Sequence, residues 1–179
     1  MFSVRDILRA SGGRLCSNHE KRSFAGVSID SRTVRKGEIF IAIKGEKFDG
    51  HDFIEAALKR GARGIIISRA PGALPSGATV IMVKDTLAAL GDIAAFHRWR
   101  FDIPIVGITG SNGKTSVKEL ASAMLLSKYK VLKNRGTENN FVGLPMALLG
   151  LSDSHDAAVL ELGANHLGEI RRPLIYPLR

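Results

Sequence analysis

Residues 105–120, IVGITGSNGKTSVKEL, constrain the fold more than any other part of the sequence. An apolar run typical of a buried strand leads into a glycine-rich loop, and the loop leads into a segment with helical spacing. Glycines let a backbone approach an anion without a Cβ clash, and the N–H groups at a helix N-terminus attract negative charge. The stretch therefore predicts a strand–loop–helix unit that binds phosphate.

The loop has a residue for each part of a magnesium–nucleotide site. Gly110 and Gly113 allow close approach of the backbone. Lys114 is placed to bind the β- and γ-phosphates, and the Thr115 hydroxyl is a candidate Mg²⁺ ligand. The spacing departs from the common G-x-x-x-x-G-K-[ST] pattern, because Ile108 stands where that pattern has its first glycine. A glycine-rich turn with an incidental GKT sequence is the alternative, but the flanking strand and helix favour the phosphate site.

A carboxylate follows a second apolar run. In AAVLEL (157–162), Glu161 comes after four apolar residues at the end of a predicted strand. A phosphate loop with Mg²⁺ commonly uses an acid at the end of a neighbouring parallel strand. Alone, such an acid is more often a solvated strand end or a cap. Beside a phosphate loop it predicts a second metal ligand.

Alternating strands and helices predict an α/β protein with two parts. Residues 1–84 form a small α/β unit that begins with a helix capped by Ser3 and Asp6, residues 85–102 form one connecting helix, and residues 103–179 form a P-loop domain with a parallel sheet. The predicted strands are 26–31, 37–45, 64–68, 79–83, 103–109, 129–133 and 157–162, and the other predicted helices are 51–62, 116–128 and 144–150. Ligands of such sheets bind at the carboxyl ends of the strands.

Composition excludes several classes of protein. The formal net charge of +9 is spread along the chain, with no block of five or six like charges and no aromatic residues interleaved with a basic stripe, which argues against a nucleic-acid partner. The N-terminus carries Arg5, Asp6 and Arg9 where a secretory signal needs an apolar core, and no apolar run approaches the ~20 residues of a membrane helix. With Cys16 as its single cysteine, the sequence predicts a cytoplasmic protein without membrane insertion.

Several segments together resemble the Mur ligase family. GITGSNGKTS, NNFVGLP and LELGANHLGEI are similar to its central, ATP-binding domain, whose phosphate loop has the short form G-[TS]-x-G-K-[TS] that Gly110–Thr115 fits. SIDSRTVRKGEIFIAIKGEKFDGHDFIEAALKRGA resembles its N-terminal, UDP-substrate-binding domain. ELGANHLGEI is typical of the members that add D-alanyl-D-alanine.

The resemblance implies an activity and a set of nucleotide-binding residues. Such enzymes use ATP to convert the terminal carboxylate of UDP-N-acetylmuramoyl-tripeptide to an acyl phosphate, which the amine of D-alanyl-D-alanine attacks. Thr115 and Glu161 would hold Mg²⁺, and Lys114 and Glu161 would be catalytic. The residues implied to bind the ATP phosphates are Gly110, Ser111, Asn112, Gly113, Lys114, Thr115 and Ser116.

The same resemblance implies substrate contacts in both parts of the chain. Ser31 and Arg32 match the pair that contacts UDP, and Asn139 and Asn140 match the loop on the muramoyl side. From the residues alone, Ser31 is as readily a turn former, Arg32 a surface charge, and a loop asparagine part of a turn. His51, in FDGHDF, is a motif position for which packing of the loop is an equal alternative. The third residue of the tripeptide and the oligomeric state are not implied.

The resemblance extends to about Ile170. Members of the family run to several hundred residues, and RRPLIYPLR (171–179) is unlike their continuation. The expectation is a truncated central domain in a chain that binds substrates but is inactive alone. The alternative is a non-catalytic module that binds a nucleotide or a UDP-sugar.

Overall fold

The structure, a computed structural model, describes residues 1–17, 19–70, 75–134 and 140–163. The chain divides into two compact units, the first from Met1 to Ile93 and the second beginning at Ala94. Both contain strands and helices, which confirms the predicted α/β class. In the ranges described, none of the helices has the length and apolarity that crossing a bilayer requires.

The first unit is built on a mixed sheet. Its strands are β1 (Phe2–Ser3), β2 (Arg14–Leu15), β3 (Ser23–Phe24), β4 (Val27–Ser28), β5 (Ile39–Ile41), β6 (Gly64–Ile67) and β7 (Thr79–Met82), and its helices are α1 (Val4–Ser11), α2 (Ile54–Arg60) and the start of α3 (Thr86–Arg98). The sheet has the order β2-β7-β6-β5-β4, in which β4 to β7 are parallel and β2 is antiparallel to β7. β1 and β3 pair separately as an antiparallel ribbon.

Local sequence signals set the helix ends in this unit. Ser3 and Asp6 form the predicted capping box on α1, each side chain accepting a hydrogen bond from the other's backbone N–H. Gly61, with φ of 114°, ends α2 in the left-handed conformation that glycine adopts readily. Asp85 Oδ1 accepts the backbone N–H groups of Leu87 and Ala88 and so caps α3.

The core of the first unit lies against the parallel strands. Every residue of β6 is buried, as expected where both faces of a parallel sheet are covered. At Gly64 a side chain would not fit, because a Cβ atom there would lie 2.8 Å from the Phe24 ring. One buried cluster of this unit comprises Val34, Phe40, Ala42, Ala57, Ala62, Ile65, Ile67 and Val80.

The second unit has the predicted β-α-β-α-β order. Its elements are β8 (Ile105–Ile108), α4 (Lys114–Leu126), β9 (Val131–Lys133), α5 (Gly143–Leu148) and β10 (Ala157–Glu161), following the end of α3. Within the residues described, the sheet has the order β8-β10-β9 with both pairs parallel. β10 is buried along its whole length between its two neighbours. The carboxyl ends of β8 and β10 therefore open onto the same edge, where the phosphate loop begins.

The boundaries of α2 to α5 differ from the sequence predictions by one to four residues, and the differences in α3 and α4 are the most informative. α3 ends at Arg98 rather than at residue 102, because the Arg98 guanidinium donates to the carbonyls of Phe101 and Ile103 and so stabilises a turn before Pro104. α4 begins at Lys114, two residues earlier than predicted. Its first turn therefore includes both side chains that the sequence assigned to the nucleotide.

Candidate nucleotide-binding site

The loop between β8 and α4 has the backbone conformation of a phosphate site. Gly110 and Gly113 have φ of 147° and 75°, values that other residues rarely adopt. Gly113 is the N-cap of α4, and Val117 N–H donates to its carbonyl at 2.9 Å. The N–H groups of a first helical turn have no acceptor within the helix, so α4 presents them and its positive dipole end to the loop.

The predicted phosphate-binding residues lie in this loop and the first turn of α4. Lys114 Nζ donates to the carbonyl of Gly110 at 2.7 Å, which places the ammonium across the loop. Ser111, Asn112 and Ser116 are exposed. One loop thus brings together a cation, helix N–H groups and hydroxyls, which is the set that binds a polyphosphate.

The two predicted metal ligands meet although 46 positions separate them. Thr115 Oγ1 donates to Glu161 Oε2 at 2.9 Å, and Glu161 is only 2% exposed. The meeting follows from the register, because Glu161 pairs with Ile108 at the end of the parallel strands and the loop returns Thr115 to that edge.

The donor set fits Mg²⁺. A hydroxyl and a carboxylate are hard oxygen ligands, and Mg²⁺ on a nucleotide is usually held by one or two protein oxygens together with phosphate oxygens and water. Among the described residues, no group of three or more His, Cys, Asp and Glu side chains forms a self-sufficient metal cage. The arrangement suits a metal that arrives with a nucleotide.

A buried lysine and a buried asparagine, neither predicted from the sequence, lie beside Glu161. Lys118 is 0% exposed, and its Nζ lies 3.0 Å from the Asn134 carbonyl oxygen, 3.3 Å from Glu119 Oε1 and 4.0 Å from Glu161 Oε2. The Asn134 side chain accepts from the Glu161 N–H at 2.9 Å and donates to the Glu161 carbonyl at 3.1 Å. Hydrogen bonds from Lys133 and Lys118 lower the pKa of Glu119. The only signal for Lys118 in the sequence was its position one helical turn after Thr115.

In the first unit, Ser31 and Arg32 lie in the turn after β4. Asp30 holds this turn: its Oδ1 accepts from Arg32 N at 2.9 Å and Nε at 3.0 Å, and its Oδ2 accepts from Nη2 at 2.7 Å. The hydrogen bonds from the Arg32 side chain and backbone lower the pKa of Asp30 to about 2. The Arg32 side chain is nevertheless 85% exposed. Asp30, a further residue that sequence analysis did not select, therefore orients an exposed guanidinium.

His51 has the packing role that was left as an alternative. Its side chain is 5% exposed, its Nε2 accepts from the Ser68 N–H at 3.0 Å, and its Nδ1 lies 2.7 Å from Asp49 Oδ1. Because Nε2 accepts, the ring proton is on Nδ1 and is donated to Asp49. His51 thus ties the segment after β5 to the end of β6, on the same carboxyl edge as the turn after β4.

The two asparagines assigned to the muramoyl side have different outcomes. Asn139 lies outside the described residues. Asn140 Oδ1 accepts from the N–H groups of Val142 at 3.1 Å and Gly143 at 2.8 Å, so it stabilises the turn that leads into α5. This contact is the turn-forming role that the sequence left open, and a substrate contact for either residue stays a prediction.

Two protein-family models match the chain, one mainly in the first unit and one in the second. A model described as "Mur ligase family, catalytic domain" matches residues 23–98, and one described as "Mur ligase middle domain" matches residues 108–175. Together they cover most of the chain, and the second includes the phosphate loop.

Two similar curated proteins carry the same name. The UDP-N-acetylmuramoyl-tripeptide–D-alanyl-D-alanine ligase of Bacillus subtilis (strain 168) is 37% identical over 169 residues, which are 94% of this chain and 37% of that protein. The ligase of the same name from Escherichia coli (strain K12) is 44% identical over 144 residues, which are 80% of this chain and 31% of that protein. The chain therefore spans about a third of the length of these relatives.

Solved structures show the same fold. A crystal structure of MurF from Acinetobacter baumannii matches 96% of this chain and 37% of its own, with a TM-score of 0.87 and 34% identity. The crystal structure of MurF ligase from Thermotoga maritima in complex with ADP matches 84% of this chain and 35% of its own, with a TM-score of 0.76 and 34% identity. Given two family models in the correct order, a phosphate loop with the family's spacing and this shared fold, the chain belongs to the Mur ligase family.

Proposed function

We propose that this chain is the UDP-substrate-binding and ATP-binding part of an enzyme that ligates D-alanyl-D-alanine to UDP-N-acetylmuramoyl-tripeptide, in cytoplasmic synthesis of peptidoglycan precursors. The observation that carries the proposal is the contact of Thr115 with Glu161 beside a glycine loop that Lys114 spans. The names of the relatives supply the reaction, and the Thermotoga maritima relative was crystallised with ADP. In this proposal residues 1–84 bind the UDP end, 85–102 connect the two parts and 103–179 bind ATP.

Each residue of the loop has a role in holding ATP for transfer of its γ-phosphate. The N–H groups from Gly110 to Ser116 and the ammonium of Lys114 stabilise the negative charge on the phosphates as the phosphoryl group passes to the tripeptide carboxylate. Thr115 and Glu161 would hold Mg²⁺, which supplies further charge neutralisation when bound. In-line transfer requires little covalent chemistry from the protein, so positioning and charge are what these residues contribute.

The turn after β4 binds the UDP end in this proposal. Arg32 is exposed and its plane is fixed by Asp30, which prepares it to pair with a diphosphate. Ser31 precedes it in the turn at the carboxyl edge of the parallel strands, where open α/β sheets bind their ligands. Asn139 and Asn140 would face the muramoyl side.

Calorimetry of the 179-residue chain with Mg-ATP tests the nucleotide site. Lys114→Ala removes a point charge from the phosphates, and a charge-assisted contact of this kind is worth roughly 1.5 to 3 kcal/mol, or about tenfold or more in affinity. Cys16→Ser, a conservative change outside the phosphate loop, is the control and is expected to bind like the wild type. Equal affinity of wild type and Lys114→Ala would refute the assignment. ATP binding without binding of the UDP precursor would instead indicate a plain nucleotide-binding module.

A further inference from the structure

The ammonium of Lys118 is an unusual group to find inside the second unit. Its side chain is fully buried, and moving a charged group out of water is costly unless partners compensate for it. It has such partners in the Asn134 carbonyl and the carboxylates of Glu119 and Glu161. A buried ion pair is by itself weak evidence for a role in stability. The residues that Lys118 contacts therefore say more about its role than its burial does.

One oxygen of Glu161 faces both Lys118 and Thr115. The Thr115 hydroxyl donates to Glu161 Oε2 at 2.9 Å, and Lys118 Nζ lies 4.0 Å from the same atom. The two donors are three residues apart on α4, which places them on one face of the helix. The carboxylate that would bind the metal is thus held between a hydroxyl at the loop and an ammonium one turn deeper.

The backbone of Glu161 is held by the same network. β9 pairs with β10 only as far as Lys133, opposite Val159. Beyond that point the Asn134 side chain replaces the ladder by bonding both the N–H and the carbonyl of Glu161. The Asn134 carbonyl in turn accepts from Lys118 at 3.0 Å, a shorter distance than those from the ammonium to Glu119 and Glu161. Lys118 therefore acts on Glu161 directly and through Asn134.

We propose that Lys118, acting with Asn134, is a positioning residue that orients the Glu161 carboxylate toward Mg²⁺ and the Thr115 hydroxyl. Outer-shell partners of this kind fix the orientation of metal ligands. The Lys118 side chain is fully buried, whereas Lys114 lies across the phosphate loop, so we assign phosphate binding to Lys114 and not to Lys118. The inference rests on the proposed function, since it requires Glu161 to be a metal ligand.

Whether removing the Lys118 ammonium raises or lowers Mg²⁺ affinity distinguishes a positioning role from a purely electrostatic one. Removing a cation close to Glu161 would strengthen its attraction for Mg²⁺ if charge alone mattered. Losing the oriented carboxylate would weaken it, and loss of an outer-shell partner typically costs about 10–100-fold in metal affinity. Because Lys118 lies closer to the Asn134 carbonyl than to the Glu161 carboxylate, we expect the loss of orientation to dominate.

The test measures ADP affinity of the 179-residue chain by calorimetry, in Mg²⁺ and in EDTA, and Mn²⁺ binding in the presence of ADP by electron paramagnetic resonance. In Lys118→Met we expect unchanged ADP affinity in EDTA, and a fall of about tenfold or more both in the enhancement by Mg²⁺ and in Mn²⁺ affinity. Lys133→Met is the matched control, because Lys133 also pairs with Glu119 but is 39% exposed and lies on the strand β9. It is expected to behave like the wild type in both solutions.

Each other outcome has a defined meaning. Unchanged or stronger Mg²⁺ enhancement in folded Lys118→Met would overturn the proposal, as would an equal loss in EDTA and in Mg²⁺, which a merely structural role predicts. If circular dichroism shows that Lys118→Met does not fold, Asn134→Ala decides, because it keeps the buried lysine and removes the two side-chain bonds to the Glu161 backbone. An unchanged enhancement in that variant would equally refute the proposal. Absence of any metal-dependent ADP binding by the wild type would instead refute the proposed function on which it rests.

Discussion

Replacing Thr115 by valine removes the hydroxyl that meets Glu161 and keeps the shape of the side chain. Both residues are β-branched and have similar helix propensities, so the change isolates one hydrogen bond. That bond is 2.9 Å long and ends on a carboxylate that is 2% exposed. Hydrogen bonds to charged groups contribute about 1.5–3 kcal/mol. Since Glu161 keeps its contacts with Lys118 and Asn134 and Thr115 is itself exposed, the lower figure, about 1.5 kcal/mol, is the expected loss.

Urea unfolding followed by tryptophan fluorescence measures this loss of stability in the second unit, which contains Thr115 and Glu161. Trp99 is the single tryptophan of the sequence and lies in the second unit. Thr115→Ser, which retains a hydroxyl, is expected to recover most of the stability, and Ser116→Ala changes an exposed hydroxyl one residue further on and serves as the control. Equal midpoints for Thr115→Val and the wild type, without nucleotide, would show that the hydroxyl and Glu161 are not paired in solution.

Three further predictions concern the scaffold. Asp30→Asn should lower the stability of the first unit by about 0.5–1 kcal/mol by weakening an exposed ion pair with Arg32. Because the pKa of Asp30 is lowered from 3.8 to about 2, the contribution of this pair to stability should be complete above pH 3.8 and disappear as pH falls through 2. An acid titration by NMR can follow this change. In thermal unfolding, Gly64→Ala should destabilise the protein by about 1–3 kcal/mol, because the new Cβ clashes with the Phe24 ring. Gly91→Ala on α3, where a Cβ meets nothing within 4 Å, should instead stabilise it by up to about 1 kcal/mol. In limited proteolysis the first unit should outlast the second, whose helix α4 exposes leucine and methionine side chains by 66% and 77%, and earlier loss of the first unit would contradict this.

The parts of the site that local rules govern could be predicted from the sequence. Glycine conformations at Gly110 and Gly113, the helix that follows them and the placement of Glu161 at a strand end depend on short motifs and on the rule that parallel strands end at one edge. The boundaries were less accurate. β4 ends at Ser28 rather than at residue 31, because the Asp30 side chain bonds the Arg32 N–H and turns the chain out of the sheet.

The parts that depend on distant partners could not be predicted. Nothing near Lys118 in the sequence shows that the carbonyl of Asn134, 16 positions away, would accept a hydrogen bond from it in the interior. A lysine on a predicted helix is ordinarily solvated, so propensity and periodicity place it on the outer face. For the same reason His51 could not be assigned to loop packing until Ser68 was seen at its ring.

Binding of UDP-N-acetylmuramoyl-tripeptide tests the central claim most directly, because it joins the family assignment to a specific ligand. Calorimetry of the 179-residue chain should show binding, weakened about tenfold in Arg32→Ala by loss of a charge-assisted contact with the diphosphate. With ATP, Mg²⁺ and D-alanyl-D-alanine added, mass spectrometry should detect no pentapeptide, because these residues span 31–37% of the relatives named for that reaction and bound-state contacts alone do not lower its barrier. Failure of the wild-type chain to bind the precursor would contradict the account, and robust pentapeptide formation would show that these residues suffice for the whole reaction.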